Sequence, residues 1–194
     1  MTILRQLNLI ALLITCTIYG SLFFTYSLSH ANQKRQLPKE ITPHYTRMMK
    51  YHLTIEGNVP PNSYIYIGDS TIQGLCVNAV NTPAINYGIG GDTTIGVLGR
   101  LQFYKSMHAA KAIILSVGIN DLFYRSKDEI IGNYQIILEK MPDNVPIILN
   151  PLFPINERLI KYENFSNDTI SYINMALEDT CKKTVKSCYY LDTY

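Results

Sequence analysis

Charged residues make up only 16% of this 194-residue chain, and not one Lys, Arg, Asp or Glu occurs between Gln6 and Gln33. The formal net charge is +2 and the basic residues are scattered, which leaves no electrostatic footprint for nucleic acid. No histidine occurs after His108, so chemistry placed beyond that point has no imidazole of its own. His, Cys, Asp and Glu nowhere fall at metal-ligand spacing, and neither a metal nor a cofactor is expected. No internal repeat or low-complexity tract appears. What remains is an ordinary globular composition, 47% hydrophobic, enough for one domain with a real core. Disorder is expected only near residues 30–43.

Residues 1–31 stand apart. Leu7 to Leu28 is almost continuously apolar or small, and as a helix it would span roughly 33 Å, about a bilayer's hydrocarbon thickness. An uncleaved transmembrane helix is the leading expectation. A cleaved signal peptide competes, since Arg5 gives a basic start and Ser29-His30-Ala31 resembles a small-residue cleavage site, although the apolar run exceeds a usual signal core. A buried soluble helix is the third reading. Lys34, Arg35 and Lys39 after the segment lean toward a cytoplasmic domain by the positive-inside rule. Signal-like N-termini usually export the domain attached to them, and a periplasmic or extracellular domain is favoured here. Cys181 and Cys188, across a helix end and the next strand, either pair in an oxidising compartment or stay reduced. Asn164 and Asn167 head Asn-x-Ser/Thr sites that matter only in a eukaryotic secretory pathway.

Residues 32–61 read as a linker and then a short helix over Tyr45–Ile55. From residue 62 to 194 strand and helix alternate. Strands are expected at Ser63–Ile67, Ala84–Asn86, Ala112–Val117, Val145–Leu149 and Cys188–Leu191. Helices are expected at Thr71–Val80, Thr94–Met107, Lys127–Lys140 and Phe165–Lys183. Continuous apolar runs such as Ala112–Val117 are the mark of strands buried on both faces. The alternation argues for a parallel sheet with helices on both sides, a three-layer α/β/α domain.

Ligands bind at the C-terminal ends of the strands in such sheets, and three polar blocks converge there. They are Gly68-Asp69-Ser70, Asn86-Tyr87-Gly88-Ile89-Gly90-Gly91-Asp92-Thr93-Thr94 and Gly118-Ile119-Asn120-Asp121. A serine at a strand-to-helix junction, with glycine and asparagine donors arriving from two later strand ends, is the layout of an acyl-transfer site. Attack on an ester carbonyl creates an oxyanion, for which the N–H of Ser70, the N–H of Gly91 and the side-chain amide of Asn120 are candidate donors. Glycine suits a tight loop with close backbone approach, and asparagine donates without a charge to desolvate. Asp69 and Asp121 read as loop anchors, and Asp92 with Thr93 and Thr94 as a helix cap. His44, His52 and His108 read as surface or core residues at the far end of the sheet, and Cys76 as an apolar helix position.

The three blocks resemble blocks I, II and III of the SGNH hydrolases, also called GDSL lipases/esterases. Leu98-Gly99-Arg100-Leu101, Asn150-Pro151-Leu152-Phe153-Pro154 and Ile170…Asn174…Leu177 are similar to its acetylhydrolase-like branch. The resemblance covers residues 62–192 and implies a five-stranded, flavodoxin-like parallel sheet. It also implies Ser70 as nucleophile, Gly91 and Asn120 as oxyanion donors, no cofactor, and a small-molecule or glycan ester as partner. Members of that kind carry Asp-x-x-His beyond the fifth strand, before a closing helix. Here Asp192 matches the aspartate that closes the strand and Tyr194 is the last residue. An impaired esterase with an incompletely covered sheet is therefore expected. A membrane-tethered, non-catalytic acyl- or sugar-binding protein is the alternative, and a truncated, unstable gene product is a third reading. Sequence does not indicate the oligomeric state.

Overall fold

The computed structural model describes residues 41–160, 162 and 165–191. The apolar stretch Leu7–Leu28, Asn164 and Asp192 lie outside the described residues. Among the described residues no helix is long and apolar enough to cross a membrane.

Five strands form one parallel sheet: β1 (Tyr64–Gly68), β2 (Ala84–Gly88), β3 (Ala112–Ser116), β4 (Ile147–Leu149) and β5 (Cys188–Tyr190). Their order is β2-β1-β3-β4-β5. The helices are α1 (Pro43–Glu56), α2 (Ser70–Gln73), α3 (Val77–Val80), α4 (Thr94–Arg100), α5 (Lys127–Lys140) and α6 (Asn167–Lys183). The α/β class and the five-stranded parallel sheet are as the sequence pattern implies.

Alternation along the strands explains why they read as unbroken apolar runs. Ile65, Ile67, Ile113, Leu115, Ile147 and Leu149 face one side, where they are fully buried in the main core with Val97, Ile130, Tyr134, Ile137, Ile170, Ile173 and Leu177. Each such side chain contributes about 1.5–3 kcal/mol relative to exposure. Tyr66 and Ile114 face the other side, in a smaller cluster with Ile72 of α2 and Val77 of α3. The two helical layers are therefore unequal. Among the described residues the second consists of two one-turn helices over β1 and β2, and toward the β5 edge Tyr189 is 59% exposed.

Capping sets the helix starts. Thr42 caps α1 with Pro43 in the first turn, and Ser126 and Glu129 form a reciprocal capping box on α5. Two expected helices are shorter than their patterns. Thr71–Val80 splits into α2 and α3 around Gly74, which leaves Cys76 exposed between them rather than packed on a helix. Thr94–Met107 is regular only to Arg100 and continues as 3₁₀ turns at Leu101–Phe103 and Lys105–Ala109. The break falls at Tyr104, whose ring turns inward and stacks on Tyr87 at 4.1 Å between centroids. That contact outweighs one more helical turn.

Cys181 at the end of α6 and Cys188 at the start of β5 form a disulfide, with Cα atoms 5.3 Å apart. It closes a short loop and ties the edge strand to the helix covering it. Replacing both cysteines by alanine is expected to lower unfolding stability by about 2 kcal/mol, read by urea denaturation. No change on reducing the wild-type protein would show that the bridge contributes nothing.

Candidate active site

Register brings the three blocks to one edge. Gly68 pairs with Gly88 of β2 and with Ser116 of β3, so the chain leaves all three strands at the same height. Glycine at 68 is sterically required, because a Cβ there would lie 2.0 Å from the Ser116 carbonyl oxygen. Asp69 comes next, buried, and its Oδ1 accepts from the Thr71 N–H and the Thr71 hydroxyl, both at 2.9 Å. It anchors the turn as the sequence suggests. Burial pushes its carboxyl above the ordinary range against those hydrogen bonds.

Ser70 is exposed at the first position of α2. Neither its hydroxyl nor its N–H makes a hydrogen bond among the described residues. With four residues, α2 is too short to add a useful macrodipole. The donors here are individual N–H groups. Gly91 is exposed at φ +76°, a left-handed conformation that glycine adopts without strain, and its N–H is likewise unbonded among the described residues. The Asn120 side-chain amide donates to the Asp92 carbonyl at 2.9 Å, which uses one of its two N–H groups and leaves the other available.

Blocks II and III are held together a second time through Asp121. Fully buried, it accepts from the Thr94 N–H at 2.8 Å, from the Thr94 hydroxyl, and from Arg125 at 3.1 Å. It therefore fastens its own loop and also the start of α4. Block II is bound to block I by Asn86, whose amide donates to the Ile72 carbonyl at 2.6 Å and the Leu75 carbonyl at 3.0 Å.

Asp92 does not cap α4, although its place beside two threonines points that way. Thr93 is the cap. Asp92 instead pairs with Arg100 at 2.8 Å, and both side chains are buried. Arg100 stands out in the sequence only as part of a resemblance, yet it is the most constrained side chain near the site. Its Nη1 donates to the Tyr87 carbonyl at 2.6 Å and the Tyr104 hydroxyl at 2.8 Å, and its Nη2 donates to the Gly68 carbonyl at 3.0 Å. Burial pushes the Asp92 carboxyl up to about 6 against the opposing pull of Arg100.

The histidines fall in three different places. His108 is exposed in the turn before β3, at the sheet edge opposite Ser70. His52 is a core histidine, fully buried, with Nδ1 2.7 Å from the Tyr104 hydroxyl. The same hydroxyl accepts from Arg100 and lies 3.6 Å from the Met49 sulfur. The imidazole is neutral, and its Nε2 is buried without a hydrogen-bond partner among the described residues. His44 is a correction: it does not lie at the far end of the sheet. Its Nε2 is 3.0 Å from Oε1 of Gln73, on the helix that begins with Ser70.

Beside the turn lies a cavity of about 140 Å³ lined by Asp69, Thr71 and Ser116 and by apolar groups of the loop after β4, including Leu152 and Phe153. Two asparagines of α6 shape that loop, each pairing with a backbone amide as another peptide would. Asn174 bonds Leu152 N and O at 2.8 and 2.9 Å, and Asn167 bonds Ile155 N and O at 2.9 and 3.1 Å. The amide of the Asn167 glycosylation sequence is thus engaged in the fold. Among the described residues no cluster of His, Cys, Asp and Glu could hold a metal ion.

A serine at a strand end, flanked by two donor loops on a parallel sheet, is the layout of an acyl-transfer site. Residues 66–194 match the GDSL-like lipase/acylhydrolase family model, and the chain belongs to that family. No curated protein matches it. A Streptococcus pneumonia protein provisionally described as a platelet activating factor shares the fold, with TM-score 0.67 and 20% identity over 90% of this chain and 79% of its own. So does a GDSL-like lipase from Bacteroides thetaiotaomicron, with TM-score 0.58 and 15% identity over 73% and 77% of the two chains. A mutant of a Geobacillus acetyl-xylooligosaccharide esterase gives TM-score 0.52 and 18% identity over 68% and 76%.

Burial and the Arg100 charge hold the His52 imidazole at about 3, against 6.5 for a free one. Unfolding therefore takes up a proton at His52 once the pH drops below 6.5. The stability belonging to the neutral ring is present above 6.5 and is lost progressively toward pH 3. Asp92 acts oppositely, losing its contribution as pH rises from 3.8 to about 6. Wild type is expected to lose stability relative to His52→Gln by up to about 1.4 kcal/mol per pH unit below pH 6.5, measured by urea unfolding down to pH 4. Parallel pH curves would show that the buried ring titrates normally. Arg100→Ala is expected to cost about 3–5 kcal/mol by leaving Asp92 buried and unpaired; a loss below about 1 kcal/mol would show that water replaces the guanidinium.

Proposed function

We propose that this chain is a serine esterase of the GDSL type acting on O-acetyl or other short acyl esters. Ser70 is the nucleophile, and the N–H groups of Ser70 and Gly91 and the Asn120 amide receive the oxyanion. The observation that carries this reading is the joining of all three blocks at one strand edge, with the Ser70 hydroxyl exposed and two N–H groups unbonded. In the reaction the Ser70 oxygen bonds to the acyl carbon while its proton passes to a base. The tetrahedral oxyanion then collapses, the alcohol leaves with a proton, and water releases the acyl group by the same route in reverse. Each donor is typically worth about 2.7–4 kcal/mol in the transition state.

The base is the weak point. His52 is buried beneath the sheet end, His108 is at the opposite edge, and His44 Nε2 is directed at Gln73. No described histidine is bonded to Ser70, so turnover is impaired unless an imidazole is brought to it. An acetylated sugar is the favoured substrate, supported by the resemblance to a fold that also serves an acetyl-xylooligosaccharide esterase. Export, with residues 1–31 as membrane anchor, is supported by the apolar N-terminal stretch and by the Cys181–Cys188 pair, which suits an oxidising compartment.

The test is hydrolysis of p-nitrophenyl acetate by the full chain in detergent. The expected result is slow turnover that is abolished in Ser70→Ala. Fast, Ser70-dependent turnover would overturn the impairment and point to another base. Turnover indifferent to Ser70→Ala would overturn the esterase reading. The unbonded Ser70 hydroxyl then favours the second reading, a non-catalytic pocket, which predicts saturable acyl-sugar binding that survives Ser70→Ala.

A further inference from the structure

We propose that Gln73 is a positioning residue of this site, one that fixes the donor loop of block II from the nucleophile's own helix, and that His44 locks it in place. The proposal rests on Ser70 and Gly91 acting as read above.

The helix carrying Ser70 is fastened to block II at successive levels. At the lowest, Asn86 donates to the carbonyls at its C-terminal end. One level higher, Gly88 lies so close that a Cβ there would sit 2.2 Å from the Gln73 nitrogen. Just beyond Gly88 the Ile89 N–H still donates to the Gly68 carbonyl at 2.9 Å, and at Gly90 a side chain takes over. The Gln73 Oε1 accepts the N–H of Gly90. Ser70 and Gln73 are three residues apart on one helical turn, so they share a face. The residue after Gly90 is Gly91, whose N–H makes no bond among the described residues and whose φ of +76° lets the peptide plane swing. A glycine pair is the most freely jointed backbone available. Left untied, it would present its N–H in many directions, and a donor in the wrong direction does not stabilise an oxyanion.

The Gln73 amide is itself held. The His44 Nε2 lies 3.0 Å from the same Oε1, and a Cβ on Gly90 would lie 3.5 Å from that nitrogen. An oxygen that already accepts the Gly90 N–H can only be approached by a second donor. The proton of His44 is therefore on Nε2, and the orientation of the Gln73 amide is settled from both sides. His44 belongs to the first turn of α1, whose Tyr45 hydroxyl donates to the Gly96 carbonyl at 2.8 Å. The clamp is thus anchored on a helix packed against α4, not on the mobile end of a long side chain.

Three variants and two measurements test the idea in the full chain: Gln73→Ala, Gln73→Glu and His44→Ala, each studied by amide hydrogen exchange and by p-nitrophenyl acetate kinetics. Gln73→Ala is expected to speed exchange at Gly90 by about tenfold, the loss of one net hydrogen bond. It should lower kcat by a similar factor while KM stays within about twofold, because the donor matters in the transition state. Gln73→Glu keeps the acceptor for both donors and should restore both readouts. His44→Ala should shift both in the same direction by less. Unchanged Gly90 exchange in Gln73→Ala would overturn the clamp. Faster exchange with an unaltered, Ser70-dependent kcat would overturn its role in positioning. If wild type shows no Ser70-dependent turnover, the esterase reading has failed, and the exchange measurement alone decides whether the clamp exists.

Discussion

At the C-terminal edge of this sheet a single buried cation bonds the backbone carbonyls of two neighbouring strands. Arg100 bonds Gly68 at the end of β1 and Tyr87 near the end of β2, while its charge is matched by Asp92 in the loop after β2. Its five N–H directions find Asp92, the two carbonyls and the Tyr104 hydroxyl. No other side chain could do this. Lysine has three donors from one point and lacks the planar fork. Burying a guanidinium is costly, and the pairing repays that only if every donor is used. Here every donor is used.

Position, rather than stability, is what that arrangement delivers to the site. The Gly68 carbonyl belongs to the residue two before Ser70, and the Asp92 carbonyl is the one that the Asn120 amide grips. One cation therefore fixes the depth of block I and the exit of block II, and block III is registered against block II by Asn120 and Asp121. Its field also reaches the neighbouring carboxylate, drawing Asp69 down against the stronger push of burial. The core below, with Tyr87 and Tyr104 stacked and His52 bonded to Tyr104, holds the guanidinium from underneath. Moving any one of these groups moves the strand ends on which the donors stand.

The fold is legible in the sequence because its signals are local and periodic. Apolar runs at Ile113–Leu115 and Ile147–Leu149 need two buried faces, and a parallel sheet supplies them. The shortened helices are not legible, since the break at Tyr104 comes from a ring stacked on a residue seventeen positions earlier, outside any helical window. The three blocks are legible as a site because glycine, serine and asparagine at strand ends have few other uses in combination. Asp92 misleads for a physical reason. Beside Thr93 and Thr94 it satisfies every local rule for a cap, and the rule that overrides them, pairing of a buried charge, depends on a partner eight residues on whose burial sequence does not reveal.

His44 misleads by the same limit in a sharper form. Lying before β1 in sequence, it reads as a residue at the end of the sheet where β1 begins. But α1 runs antiparallel to the strand it precedes, so its first turn stands beside the strand's last residues and only its last turn reaches the strand's start. A helix of that length spans roughly 21 Å, more than the rise of a five-residue strand, roughly 17 Å. Proximity in sequence at one end of such a helix therefore guarantees distance at the other. The residues that come to the nucleophile's edge from upstream are those farthest from it along the helix, and among the described residues the first of them to carry a titratable ring is His44.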